Sequence, residues 1–347
     1  MKSALILAIL PLVLMASFVE ATTWFMEDDG SGDAPHLQAA IDSSAPGDTI
    51  LLNDGFYSGP GNQIFIVNHT LTFRSVNGPL VTRIILLMTP GFTINAPNCL
   101  IEGITVDRGS DVFGGAVTVN SGNFTTRNSW YTNCLASAGG GIFFNTGASG
   151  TGRIIDCVFE SCVANFAGSA VWAFNGVAEV VVEGCVISGG TGLPVVVEDL
   201  PLTVRNCTFV ENEPVGGDPL ALGSVAGSIT VENTLFAFNT GVSPPIISNG
   251  ALTISCSNMF GNHNGGTSLD WTGKSAPFAN INDNFSEDPQ FCDMIFKDFQ
   301  LAASSPCAPG NHPDGAACGL VGALDVGCGG NTATEEASWT DVKEMFR

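Results

Sequence analysis

Asp107, Arg108 and Asp111 fall within five residues of one another, and Trp130 and Glu160 recur further along the chain. A carboxylate pair, a guanidinium and a flat aromatic ring are the side chains that hold a sugar or a Ca²⁺ ion. The bland alternative is a solvated turn after a strand. Which of the two holds depends on whether the fold brings these positions together.

The elements that would position them are short and repeated. A phrase that usually reads as a small residue or Cys, any residue, then a large apolar one appears as Ile104-Thr105-Val106, Ser129-Trp130-Tyr131, Cys157-Val158-Phe159, Cys185-Val186-Ile187, Cys207-Thr208-Phe209 and Thr234-Leu235-Phe236. The steps between first members are 25, 28, 28, 22 and 27 residues. Self-similarity in this range marks a stacked repeat. Each phrase has period-2 patterning, so its first and third residues share a face. One such strand cannot bury its apolar face alone, whereas stacked copies can. Helical repeats need long apolar stripes at period 3.6. This chain instead has 42 Gly, 13% charged residues and brief Val/Ile/Phe/Thr runs broken by Gly and Asn. Those are the marks of short strands and tight corners. A step of this size holds three strands and three turns. The expected fold is therefore all-β, a single-stranded parallel β-helix of roughly nine rungs over residues 49–290, with strands about 4.8 Å apart.

In that register Asp107 points outward near Trp130 and Glu160 of the following rungs. Gly114-Gly115-Ala116-Val117, Gly139-Gly140-Gly141-Ile142 and Gly168-Ser169-Ala170-Val171 each follow the phrase by ten or eleven residues. Glycine there permits a tight corner. Asn128, Asn206 and Asn233 precede the phrase, and Asn212 and Asn239 lie five residues after its first member, positions suited to corner stacking. Near Cys256 the register is open by one residue. Aligning Asn262 with Asn212 places Ser257 inward in place of Cys256. The outward second positions, Thr105, Trp130, Val158, Val186, Thr208 and Leu235, form a strip that requires a cover or a partner. The loops over 189–200 and 211–223 are candidate covers.

Residues 1–21 read as a signal peptide: Lys2, twelve apolar residues from Ala4 to Met15, then Val19-Glu20-Ala21. No later stretch reaches the length of a transmembrane span. The net charge of −22 argues against a nucleic-acid partner and is compatible with weak Ca²⁺ sites. No other cofactor is implied. Residues 22–48 read as an N-terminal cap, in which Asp33 caps a short helix, Pro35 occupies its first turn, and Leu37, Ala40 and Ile41 give it an apolar face. Eleven cysteines are an odd number. Cys157, Cys185 and Cys207 take inward positions. Cys134 and Cys162 each follow a phrase by five residues, so they stack on adjacent rungs as a candidate disulfide. Cys292, Cys307, Cys318 and Cys328 fall in a Cys-rich segment over 291–330, read as a C-terminal cap holding two disulfides of open pairing. Metal binding there lacks a Cys-x-x-Cys pair. Residues 331–347 read as an amphipathic helix carrying Trp339, Val342 and Phe346.

These motifs resemble known proteins. Asp29-Gly30-Ser31-Gly32-Asp33, Leu37-Gln38-Ala39-Ala40-Ile41-Asp42 and Pro46-Gly47-Asp48-Thr49 resemble the N-terminal cap of pectinesterases and related pectin-lyase-like proteins. The Gly-Gly-x-Ile/Val phrases, with Asn-Cys-x-Phe strands between them, look like polymorphic-outer-membrane-protein-type repeats. Asp288-Pro289-Gln290-Phe291-Cys292, Ser305-Pro306-Cys307, Val321-Gly322-Ala323 and Gly327-Cys328 are similar to the closing segment of secreted bacterial right-handed β-helix proteins. The resemblance spans residues 24–328. It implies a right-handed helix and a protein that is secreted or held at the cell surface or outer membrane. It does not fix an activity, because the fold hosts lyases, hydrolases, esterases and inert adhesins.

The catalytic motifs of those families are incomplete here. The paired aspartate motifs of pectinesterases are absent, as are the Asn-Thr-Asp and Gly-His-Gly of polygalacturonase-like hydrolases. The only Asp-Asp, Asp28-Asp29, lies in the cap. A pectate-lyase-like Arg base beside a carboxylate-bound Ca²⁺ has one candidate set: Arg108 with Asp107, Asp111 and Glu160, and Trp130 as a sugar platform. The sequence thus admits a non-catalytic solenoid that binds a polysaccharide or a surface protein, a divergent polysaccharide lyase or hydrolase using that set, or a purely architectural envelope component. Asn68, Asn123, Asn206 and Asn284 sit in glycosylation sequons, which matter only in a glycosylating host.

Overall fold

A computed structural model describes residues 21–174, 176–213 and 221–328. The expected leader, save Ala21, and the helix expected over 331–347 lie outside the described residues. The rest winds into a parallel β-solenoid with three long sheets of ten, nine and eight strands. One rung illustrates the plan: Leu202–Arg205 in sheet A, Thr208–Val210 in sheet B, then Leu222–Ser224 in sheet C. The wall is built by pairing each strand with its equivalent in the next rung, as in Phe209 beside Phe236 and Tyr131 beside Phe159. These inward rings stack at centroid distances of 5.0 Å in both pairs.

Two left-handed corners per rung turn the chain. The corner from sheet A to sheet B uses Gly103, Asn128, Asp156, Gly184, Asn206, Asn233 and Cys256, and the corner from B to C uses Arg108, Asn133, Ser161, Gly189, Glu211, Phe238 and Gly261, all with φ between 46 and 70°. Asn and Gly recur there because they tolerate this region, which costs other residues about 1–2 kcal/mol. Asn128, Asn206 and Asn233 are therefore corner residues. The stacking position is the next one along. After the second corner it holds Asn212, Asn239 and Asn262, all fully buried, and each Asn Nδ2 donates to a backbone carbonyl of the preceding rung. The Asp270 carboxylate ends this ladder by accepting from Asn262 Nδ2 at 2.7 Å.

Cys134 and Cys162 occupy the same column on earlier rungs, but they remain thiols and do not form the expected disulfide. Each donates its S–H to a carbonyl of the preceding rung, Val106 O and Tyr131 O, as the asparagines do. Stacked parallel residues also point their Cβ atoms the same way, whereas a disulfide needs them to converge. Cys157, Cys185 and Cys207 are buried thiols after the first corner, and Ser257 continues that column. Ser257 is thus the inward residue, and Cys256 takes the corner.

At the N-terminal end, Thr23–Met26 adds a tenth strand to sheet A through its register with Thr49–Leu52. The helix runs Leu37–Ser43 with His36 as N-cap, its Nδ1 accepting from Ala39 N at 3.1 Å. Asp33 does not cap the helix. Its Oδ2 accepts from Phe25 N at 2.7 Å, tying the edge of the added strand. Leu37, Ala40 and Ile41 are buried. At the other end, a 3₁₀ turn over Gly273–Phe278 lies against the last strands, with Trp271 and Phe278 packed on the core.

The Cys-rich segment folds back along the flank of the solenoid. Phe299 packs on Val158, Val186 and Val210 of sheet B, and Leu301, Cys307, Cys318 and Val321 pack on Leu235 and Ala237. The outward strip from Trp130 to Leu235 is thus covered by the segment over 285–328, and Thr105 donates its hydroxyl to Pro79 O; of the loop over 211–223, residues 214–220 lie outside the described residues. Its two disulfides are Cys256–Cys318 and Cys292–Cys328. Cys307 is left a buried thiol, with its pKa pushed up to about 12 by burial. The expectation of both bridges inside the four-cysteine cluster fails because Cys318 reaches the corner at Cys256. Among the described residues no helix is long and apolar enough to cross a membrane.

Candidate functional site

The strand Thr105–Asp107 ends at the buried Asp107, which stacks on Thr132 of the next rung and, through it, on Glu160 of the rung after. Asp107 and Glu160 are therefore two strand spacings apart, about 10 Å between backbones. Both carboxylates are already engaged. Asp107 Oδ1 accepts from Thr132 Oγ1 at 2.8 Å and from Asn133 Nδ2 at 2.9 Å. Glu160 Oε1 pairs with Lys297 Nζ at 2.7 Å, a partner supplied by the covering segment. Arg108 sits at the left-handed corner, its exposed Nε 3.5 Å from Asp107 Oδ2. Asp111 lies on a separate edge strand, Ser110–Phe113, and its Oδ1 accepts from the adjacent Val112 N. The fold brings Asp107, Arg108 and Glu160 onto one flank and sends Asp111 to another.

This set does not fit a Ca²⁺ site. The ion needs several converging oxygens, and these carboxylates diverge or are spent. Among the described residues the only trio of close metal-ligating atoms is Cys256, Asp283 and Cys318, and its two sulfurs are joined to each other.

Trp130 belongs to the neighbouring outward column, between Thr105 and Val158. It lines a cavity of about 320 Å³ with Asn128, Asp156, Leu80 and Leu324, the last from the covering segment. Burial, with the nearby Glu183 charge adding to it, raises the Asp156 carboxyl above its usual range. Asp156 was not singled out from sequence because it reads there only as the residue before a strand.

A second groove, of about 300 Å³, opens on sheet C beside the edge strand that carries Asp111. Its aromatic wall comes from three elements. Phe113 stacks on Phe143 at 4.9 Å, Phe143 meets Phe174 edge-on at 5.6 Å, and Trp172 stacks on Phe174 at 5.1 Å. Along the next outward column runs an exposed amide ladder. Asn95 donates to Asn68, Asn120 to Asn95 and Asn145 to Asn120, at 3.0, 2.9 and 3.0 Å. Glu198, beside Trp172, has its carboxyl raised by burial. Phe143 and Trp172 each follow the apolar residue of a Gly-rich phrase, so their column was readable in the sequence. The approach of Phe113 was not, because it depends on the edge strand.

Two of the sequon asparagines hold positions in the fold's hydrogen-bond network. Asn284 is fully buried, donating to Ile254 O and Ile281 O, and Asn68 anchors the exposed ladder.

The comparisons agree with this geometry. The sequence matches a family profile described as a right handed beta helix region over residues 156–282. The chain has the right-handed, pectin-lyase-like parallel β-helix fold. A solved structure of similar fold is the pectate lyase Pel9A, with a TM-score of 0.51, 14% sequence identity, and 88% of this chain and 96% of that one covered. At that identity the likeness is one of fold. No curated protein matches.

Proposed function

We propose that this protein is an exported, non-catalytic β-helix, adhesin-like, that acts outside the cell or at its surface by binding glycans. One observation carries the reading: the side chains best suited to lyase or hydrolase chemistry are each bonded elsewhere. Asp107 is held by Thr132 and Asn133, Glu160 is held by Lys297, and Asp111 stands on a different flank. The covering segment also packs on sheet B from Val158 to Ala237 and removes that stretch from solvent. Two disulfides suit an oxidising compartment. The aromatic groove and the Trp130 cavity supply surfaces of the kind that bind ligands, apolar with a few polar groups.

The test is a panel of acidic and neutral polysaccharides, with and without added Ca²⁺, read for binding and for unsaturated product by ultraviolet absorbance. Retention without product is the expected result. Product that disappears in Arg108→Ala, with folding intact by circular dichroism, would replace this reading with a divergent lyase.

A further inference from the structure

We infer that the groove on sheet C is the glycan site, and that it takes an uncharged polysaccharide chain lying lengthwise along the solenoid. The inference rests on the glycan-binding reading above and deepens it.

Three features of the groove converge on this ligand. The first is its wall. Phe113, 44% exposed, and Phe174, partly exposed, flank the buried Phe143 and leave aromatic surface open to solvent. The apolar C–H face of a pyranose packs on such rings, and aromatic surface with sparse polar groups is how small-ligand sites are lined. The second is the amide ladder. Each carboxamide has two N–H donors, and the ladder uses one of them at Asn95, Asn120 and Asn145. The other donors therefore repeat at the strand spacing of about 4.8 Å, a period suited to the hydroxyls of successive sugars. The third is charge. No Lys or Arg lines the groove, and Asp111 stands at its rim. Among the described residues six cations, Arg74, Arg108, Arg127, Arg153, Arg205 and Lys297, each pair with a carboxylate, which weakens their pull on a polyanion. On a chain of net charge −22, an acidic polysaccharide would be repelled from this flank. A neutral chain would not.

The experiment measures binding of the full mature chain to a soluble β-1,4-linked glucose oligomer, a galactomannan and polygalacturonate. Phe113→Ala and Phe174→Ala are compared with Ile295→Ala, an exposed apolar residue on the covering segment. Near- and far-ultraviolet circular dichroism confirms that each variant is folded. Expected are binding of at least one neutral glycan, insensitive to salt, and a loss of roughly three- to tenfold for each ring removed. Ile295→Ala should bind as the wild type does. Neutral-glycan binding that survives the Phe113→Ala/Phe174→Ala double variant would overturn this site and leave the glycan-binding reading standing. Binding of polygalacturonate alone would overturn the ligand class. No binding to any member of the panel would overturn both.

Discussion

Replacing Asn239 by Ala tests what holds the corners of the solenoid in register. Asn239 is fully buried, and its side chain takes part in four hydrogen bonds. Its Oδ1 accepts from the backbone N–H and Nδ2 of Asn212, both at 3.0 Å, and its Nδ2 donates to Phe209 O at 3.0 Å and Asn262 Oδ1 at 2.8 Å. Truncation leaves Asn212 with two donors aimed at an empty site and strips a partner from Phe209 O. Leaving a buried polar group unpaired costs about 1–3 kcal/mol, so two to three such groups give a loss of about 2–9 kcal/mol. Asn239→Asp should fare little better. It keeps both acceptor contacts but puts a carboxylate against Asn262 Oδ1 and Phe209 O. The exposed ladder supplies the contrast, because water replaces a lost partner there, and Asn120→Ala should cost under about 1 kcal/mol. Urea unfolding followed by circular dichroism gives all three values. If Asn239→Ala costs no more than Asn120→Ala, burial is not what makes the inner ladder matter, and the reasoning fails.

Three further outcomes follow from the structure. The Cys256–Cys318 bridge closes a loop with a sequence separation of 62, for which chain-entropy bookkeeping gives about 4 kcal/mol; Cys256→Ser should lower the melting temperature and speed proteolysis within 285–328, and an unchanged protease map would contradict the packing on sheet B. Burial works against the Glu102 charge, but the Arg127 and Arg74 bonds outweigh it and hold its carboxyl below the ordinary 4.5. Its contribution is therefore full above that pH and lost as pH falls below it, so Glu102→Gln should flatten the acid side of a stability–pH profile, by about 1 kcal/mol at most for so solvated a cluster. Lys297→Ala breaks a pair whose side chains are 38% and 32% exposed; it should cost less than about 1 kcal/mol in melting experiments, and a larger loss would mean that the pair anchors the covering segment.

Much of the solenoid is legible in sequence because each rung repeats the same local physics. The inward placing of Ile104, Cys157 and Phe209 follows from period 2, and aligning Asn262 with Asn212 also places Ser257 correctly. The misses share one cause, contacts that the repeat does not encode. Cys318 finds Cys256 across the flank, at a corner rather than in the Cys-rich stretch. Lys297 reaches Glu160 from 137 residues away. Thr23–Met26 joins sheet A although so short a strand carries no pattern of its own. The candidate site suffers in the same way. Asp107 and Glu160 do share an outward column, but the column cannot show that Thr132 and Asn133 claim one carboxylate or that a distant lysine claims the other. Asp111 diverges because the chain enters an edge strand immediately after the corner at Arg108.

The disulfide at Cys256 also decides how the molecule would carry tension. A solenoid pulled from its end peels one rung at a time. Here a pull applied beyond Cys328 passes back to Cys318 and crosses into the chain at Cys256, at the last full rung. Residues 257–317 are bypassed. The rungs would then unzip under load while the bypassed part of the covering segment, up to residue 317, keeps its own fold. For a protein moored through its C-terminal end, force would be absorbed by the repeats and not by the piece that shields them.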